Sequence, residues 1–187
     1  MRKVIIILLS MLVFSGISYP NEVELPLSES AVLRPASGSN QILIKFDNLP
    51  EDLTTNSRIL RAEVEIYLDL TASLESTDNM VDLKIERVAK PWTATSVNYS
   101  TFYDGRGNAV DESDYNVDQL AVDDGKMVLD VTHYLEKWLE NPDENYGLVI
   151  KTFTAGADIE AAEPRMMVTG ERSFGQLRIK YSPDRAK

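Results

Sequence analysis

Ala62-Glu63-Val64-Glu65-Ile66-Tyr67-Leu68-Asp69-Leu70 places an apolar side chain at every second position, with mostly acidic residues between. A β-strand turns successive side chains to opposite faces, so this stretch describes a strand with one buried and one wet face. The same period of two recurs on either side. Upstream, Ile42, Ile44 and Phe46 of segment 41–46 share one face, and downstream Val81-Asp82-Leu83-Lys84-Ile85-Glu86 repeats the pattern. Further strands are expected over 126–131, 146–153, 165–169 and 176–181. Short alternating strands separated by Pro, Gly, Asn and Asp predict an all-β fold, an antiparallel β-sandwich rather than a βαβ arrangement.

Two stretches break the alternation. From Thr132, the residues Leu135, Trp138 and Leu139 recur at helical spacing until Asn141-Pro142 ends the run. This predicts one helix of about two turns, with Thr132 as its N-cap and Trp138 packed into the core. Residues 101–125 hold three glycines, few apolar side chains and many acids, and read as a long loop.

The chain has 187 residues, 19 Lys+Arg against 30 Asp+Glu, one histidine and no cysteine. That length suits a single domain with a real core. Without cysteine there is no disulfide framework, thiol nucleophile or Cys-based metal site, and a single histidine excludes multi-histidine sites. An acidic surface repels a phosphate backbone, which argues against nucleic acid as a partner.

Met1-Arg2-Lys3, the apolar run from Val4 to Phe14 and the small residues Gly16 and Ser18 have the form of a secretory signal peptide over 1–18. The run is shorter than the roughly 20 apolar residues that span a bilayer, so no stable membrane insertion is expected after cleavage. Removing Arg2 and Lys3 leaves 17 basic against 30 acidic residues, a net charge of −13. A cysteine-free exported chain suits a bacterial periplasmic or extracellular protein. The expected organisation is therefore a signal peptide (1–18), an N-terminal segment with a first strand (19–41), a sandwich module (42–182) and a basic tail (183–187).

The order of the remaining motifs points further. They are Ile42-Leu43-Ile44-Lys45-Phe46-Asp47-Asn48-Leu49-Pro50, then Arg61 to Leu68, then Pro91-Trp92-Thr93-Ala94-Thr95-Ser96-Val97-Asn98-Tyr99. Leu129-Asp130-Val131-Thr132 with Trp138, Asn145 to Ile150, Glu163 to Val168 and Gln176 to Tyr181 follow. Over roughly residues 42–181 this series resembles the secreted bacterial modules named for the motif DNRLRE, which overlap a family of carbohydrate-binding modules. The resemblance implies a jelly-roll-like sandwich without catalysis of its own, some of whose relatives bind acidic or neutral polysaccharide. It also implies a structural role for Glu163, which Lys45 or Arg61 would pair. Compared with that family, 28–41 is compressed, which would remove an edge strand and leave a sheet edge free.

Aromatic and amide side chains near the long loop are the candidate ligand residues: Trp92, Tyr99, Tyr103, Asp104, Arg106, Asn108 and Tyr115. Flat rings stack on sugar faces, while carboxylate, guanidinium and amide groups bond hydroxyl pairs. Asp111, Asp114 and Asp118 are the candidate ligands for calcium, which takes about six to eight oxygens, although their spacing matches no EF-hand. No nucleophile elbow or phosphate loop is present, and His133 alone makes no catalytic constellation. The sequence thus predicts a secreted or cell-surface, non-catalytic module that binds polysaccharide or a surface protein. Its alternative is a structural or adhesive subunit of an extracellular assembly, able to associate with itself.

Overall fold

The computed structural model describes residues 20–72, 80–121, 126–154, 156–161, 165–166, 172–173 and 175–182. The signal-peptide segment, Glu163 and the basic tail lie outside the described residues. In chain order the strands are β1 (Asn21–Pro26), β2 (Glu29–Leu33), β3 (Gln41–Lys45), β4 (Arg58–Tyr67), β5 (Asp69–Ala72) and β6 (Met80–Val88). A single-turn helix α1 (Tyr99–Phe102) leads to β7 (Val110–Ala121) and β8 (Lys126–Asp130). Helix α2 (Thr132–Glu140), a 3-10 turn (Pro142–Glu144), β9 (Leu148–Thr152), β10 (Ala157–Ala161), β11 (Arg165–Met166), β12 (Arg172–Ser173) and β13 (Gly175–Ser182) complete the chain.

The fold is the expected antiparallel sandwich. One sheet has the order β1-β13-β4-β8, the other β2-β3-β9-β6-β7, and β5 with β10 and β11 with β12 form two small ribbons. Val64 and Ile66 of β4, Leu129 of β8, and Leu177 and Ile179 of β13 meet Ile42, Ile44, Leu83, Ile85 and Ile150 of the opposite sheet in one core. Each is essentially inaccessible, and burying such a side chain stabilises by about 1.5–3 kcal/mol. Tyr134, Leu135 and Trp138 of α2 close one end of this core, so Trp138 is the packing residue its spacing suggests.

Four expectations change. The compressed opening lacks no strand, because 19–41 carries two: β1 adds to β13 and β2 adds to β3. The long loop is shorter than its composition suggests, since its second half is the twelve-residue strand β7, paired along β6. Its acids disguise the strand because β7 lies at a sheet edge and turns charges to water. A single-turn helix, α1, joins the one predicted; Asn98 caps it, with Thr101 returning the bond. Finally, Thr132 is the first residue of α2 rather than its cap: its hydroxyl accepts the Ala62 N–H at 3.0 Å, and its own N–H donates to Asp130 Oδ1 at 2.9 Å. Among the described residues no helix is long and apolar enough to cross a membrane.

A second, smaller core lies on the outer face of the five-stranded sheet. Leu33, Leu43, Val88 and Val149 point outward there and are covered by Trp92, Phe102, Ala109 and Val110. Segment 89–109 thus folds back as a cover, which explains why Ile42-Leu43-Ile44 and Leu148-Val149-Ile150 are continuous apolar runs. Strands buried on both faces lose their alternation.

Candidate functional site

The cover stops partway across the outer face, and strand register shows what lies beyond it. Lys84 of β6 stands between Lys151 of β9 and Val117 of β7, and Lys151 in turn faces Gln41 of β3. One row on in the same outward set come Val149, Glu86 and Tyr115. One row back, Asp82 faces Gln119, and the Phe153 N–H donates to the Asp82 carbonyl at 3.2 Å, which aligns Phe153 with the same face.

The centre of this surface is Glu86, fully buried although its strand position faces outward. One carboxylate oxygen meets Lys84 Nζ at 2.6 Å and the other meets Lys151 Nζ. An unpaired carboxylate buried there would be costly, so the two ammonium groups make Glu86 tolerable while Glu86 holds them in place. Both lysine side chains remain about a quarter exposed, at 27% and 26%. Lys84 also lies over the Tyr115 ring, 4.4 Å from its centre. Among the described residues, the Tyr115 and Phe153 rings are exposed, at 53% and 56%. At the margin of the cover, the Tyr103 hydroxyl donates to Gln41 Oε1 at 2.7 Å, and burial together with the Glu86 charge pushes its pKa above the usual phenol range. The result is a shallow platform of aromatic rings, an amide and two anchored ammonium groups.

The candidate ligand residues do not all gather here. Tyr115 lies on the platform and Tyr103 on its rim, while Tyr99 packs against Tyr103 as part of the cover, ring centres 4.9 Å apart. Trp92 is 8% exposed and its indole N–H donates to the Tyr146 carbonyl at 2.7 Å, so it is chiefly a core residue. Its remaining edge borders a separate cleft of about 460 Å³, lined also by Lys45, Asp47, Asn48, Asp143 and Asn145. Asp104 and Arg106 sit on the exposed loop beyond α1. There Asp104 accepts from Lys90 Nζ at 3.2 Å and from the Arg106 N–H at 2.9 Å, and the latter bond first, then the lysine, holds its carboxyl below the usual range. Asn108 lines a third hollow with Arg87, Asp111 and Glu144.

The candidate calcium carboxylates all lie on β7, Asp111 and Asp114 among cationic side chains. Between Glu86 and Arg87 the β7 register jumps from Tyr115 to Asp111, so residues 112–114 bulge out of the ladder. The bulge turns Asp114 inward, where it is 5% exposed and receives Arg87 Nε at 2.9 Å, Lys137 Nζ at 2.8 Å and His133 Nε2 at 2.9 Å. Burial alone would raise its pKa; the bonds from Lys137, Arg87 and His133 outweigh it and hold the carboxyl below its ordinary value. Asp111 pairs with Arg87 Nη2 at 2.8 Å, and Asp118 lies farther along β7 opposite Leu83. Among the described residues no group of three or more Asp, Glu or His is arranged to hold a metal ion. Asp114 thus ties β7 to β6 through Arg87 and to α2 through His133 and Lys137. Lys45, for its part, pairs with Asp47 at 2.9 Å.

Sequence reasoning missed Lys84, Glu86, Lys151, Phe153 and Gln41 because each looks like an ordinary outward residue of its own strand. The available signal was that Lys84, Glu86 and Lys151 fall on two central strands whose neighbours are apolar. Compared with protein-family models and with curated proteins, the chain matches none.

Proposed function

We propose that the chain is an exported, non-catalytic module that binds polysaccharide or a related cell-surface component on the uncovered half of the five-stranded sheet's outer face. The observation that carries this reading is the platform itself. Two exposed rings, Tyr115 and Phe153, flank ammonium groups that buried Glu86 holds on either side. Rings give a sugar its apolar contact, and fixed polar groups give its hydroxyl or carboxylate substituents their bonds. The acidic net charge by itself favours a neutral ligand. Lys84 and Lys151 add a local basic pair, which widens the range to uronate-containing chains. The signal-like segment 1–18 and the resemblance of 42–181 to secreted carbohydrate-binding modules support the same reading.

The test is a glycan array of neutral and uronate-containing polysaccharides, followed by calorimetry on the best ligand. Tyr115→Ala and Phe153→Ala should each weaken binding by roughly three- to tenfold, an aromatic contact being worth ~0.5–1.5 kcal/mol, with the melting temperature unchanged. An array without any ligand, or affinity untouched by either substitution, overturns the proposal.

A further inference from the structure

Each sheet ends in two edge strands, and an edge left with free N–H and C=O groups is a template for another strand. Three of the four edges are poor templates. In β1 an antiparallel copy centred on Val23 would set Glu22 against Glu24, and Pro26 ends the strand. In β2, Ala31 packs under the 89–109 cover and Glu29 accepts the Ala94 N–H at 2.8 Å. In β7 the ladder is broken by the bulge at 112–114.

The fourth edge, β8, is different. The Val131 N–H donates to the Ala62 carbonyl, and backbone groups alternate along a strand. Residues 127, 129 and 131 therefore face β4, and Lys126, Val128 and Asp130 turn their N–H and C=O groups to the other side, where no strand pairs among the described residues. An antiparallel copy centred on Val128 places Val128 against Val128 and Lys126 against Asp130 on both sides of a two-fold axis. Each facing pair forms two backbone bonds, about six in all, and both cross-strand charge pairs are attractive. Val128 is 46% exposed, and Lys126, exposed beside it and paired with Glu65 at 3.0 Å in its own chain, would share its ammonium with Asp130 of the second copy, so the contact needs no rearrangement of the core.

From this self-complementary edge we propose that two copies of the chain associate through β8, joining their four-stranded sheets into one continuous eight-stranded sheet. The interface uses a different sheet from the proposed ligand platform, with only the Val117 side of the platform bordering β8, where Val117 and Asp130 line one hollow. A two-fold dimer of this kind carries two platforms, so a polymeric ligand would meet it bivalently.

Sedimentation across a wide concentration range should show a reversible dimer. Val128→Lys sets two ammonium groups against each other on the axis, and Val128→Pro removes a donor that faces only the free edge. Each should weaken dimerisation at least tenfold, and the lysine variant should keep the wild-type melting temperature because the side chain is exposed. Since the chain has no cysteine, Val128→Cys gives a single reporter whose Cα lies about 5.5 Å from its mate in a hydrogen-bonded pair, within disulfide reach. Under mild oxidation it should cross-link at least tenfold faster than Val117→Cys, an equally exposed control on β7. A wild-type chain that stays monomeric to millimolar concentration, or equal cross-linking by both cysteine variants, overturns the proposal.

Discussion

The two sheets share one core and treat their outer faces in opposite ways. On the four-stranded sheet, Glu24, Glu63, Glu65, Val128 and Arg178 look outward among neighbouring charged side chains, and its strands alternate except at the register shift beside Leu60 and Arg61 of β4. On the five-stranded sheet, the cover from 89–109 buries Leu43 and Val149 and leaves a strip where a fully buried carboxylate anchors two lysines. The first face resembles any wet sheet surface. The second costs desolvation to build, and that cost is the ground on which we propose it as the ligand face.

Matched substitutions on the two sheets measure the contrast. The largest difference should come from charge. Asp114→Ala leaves Arg87 and Lys137 without their shared carboxylate and should cost about 3–5 kcal/mol in urea denaturation. Glu24→Ala, which removes an exposed partner of Arg178, should change stability by less than about 0.5 kcal/mol. Apolar truncation comes next. Leu43→Ala should cost about 2–5 kcal/mol, whereas Val128→Ala on the open face should stay within about 0.5 kcal/mol. Equal costs in either pair would dissolve the contrast.

Two smaller effects sharpen it. Trp92→Phe keeps most of the cover's apolar contact but loses the bond to the Tyr146 carbonyl, and should cost about 1–3 kcal/mol by leaving that acceptor unpaired. The acid limb of stability should also carry Asp114's signature. Its folded-state pKa is depressed, so its contribution is complete above the ordinary aspartate range, near pH 4, and is lost as pH falls through the lower folded value. In Asp114→Asn the stability curve should therefore be flatter below about pH 4, as read by thermal melts across that range.

Much of the sandwich was legible because one-face burial writes a period of two into the chain. β4, β6, β8 and β13 lie close to where alternation placed them. The second core was present in the sequence too, in Leu43 and Val149, but a reading that follows only Ile42, Ile44 and Phe46 sees one face and misses the other. β7 was hidden because an edge strand with acids turned to water looks like a loop by composition. The platform was the least legible part. Lys84 and Lys151 are far apart in the chain, and only the pairing of β6 with β9 brings their charges to one carboxylate. Local patterns carry burial; they do not carry register between distant strands.

The most direct test of the central claim is a backbone-amide NMR titration with the best ligand from the array. Perturbations centred on Lys84, Tyr115, Val117, Lys151 and Phe153 are the predicted result. Perturbations centred instead on Glu24, Glu65, Val128 and Arg178, or on the cleft beside Trp92, would contradict it.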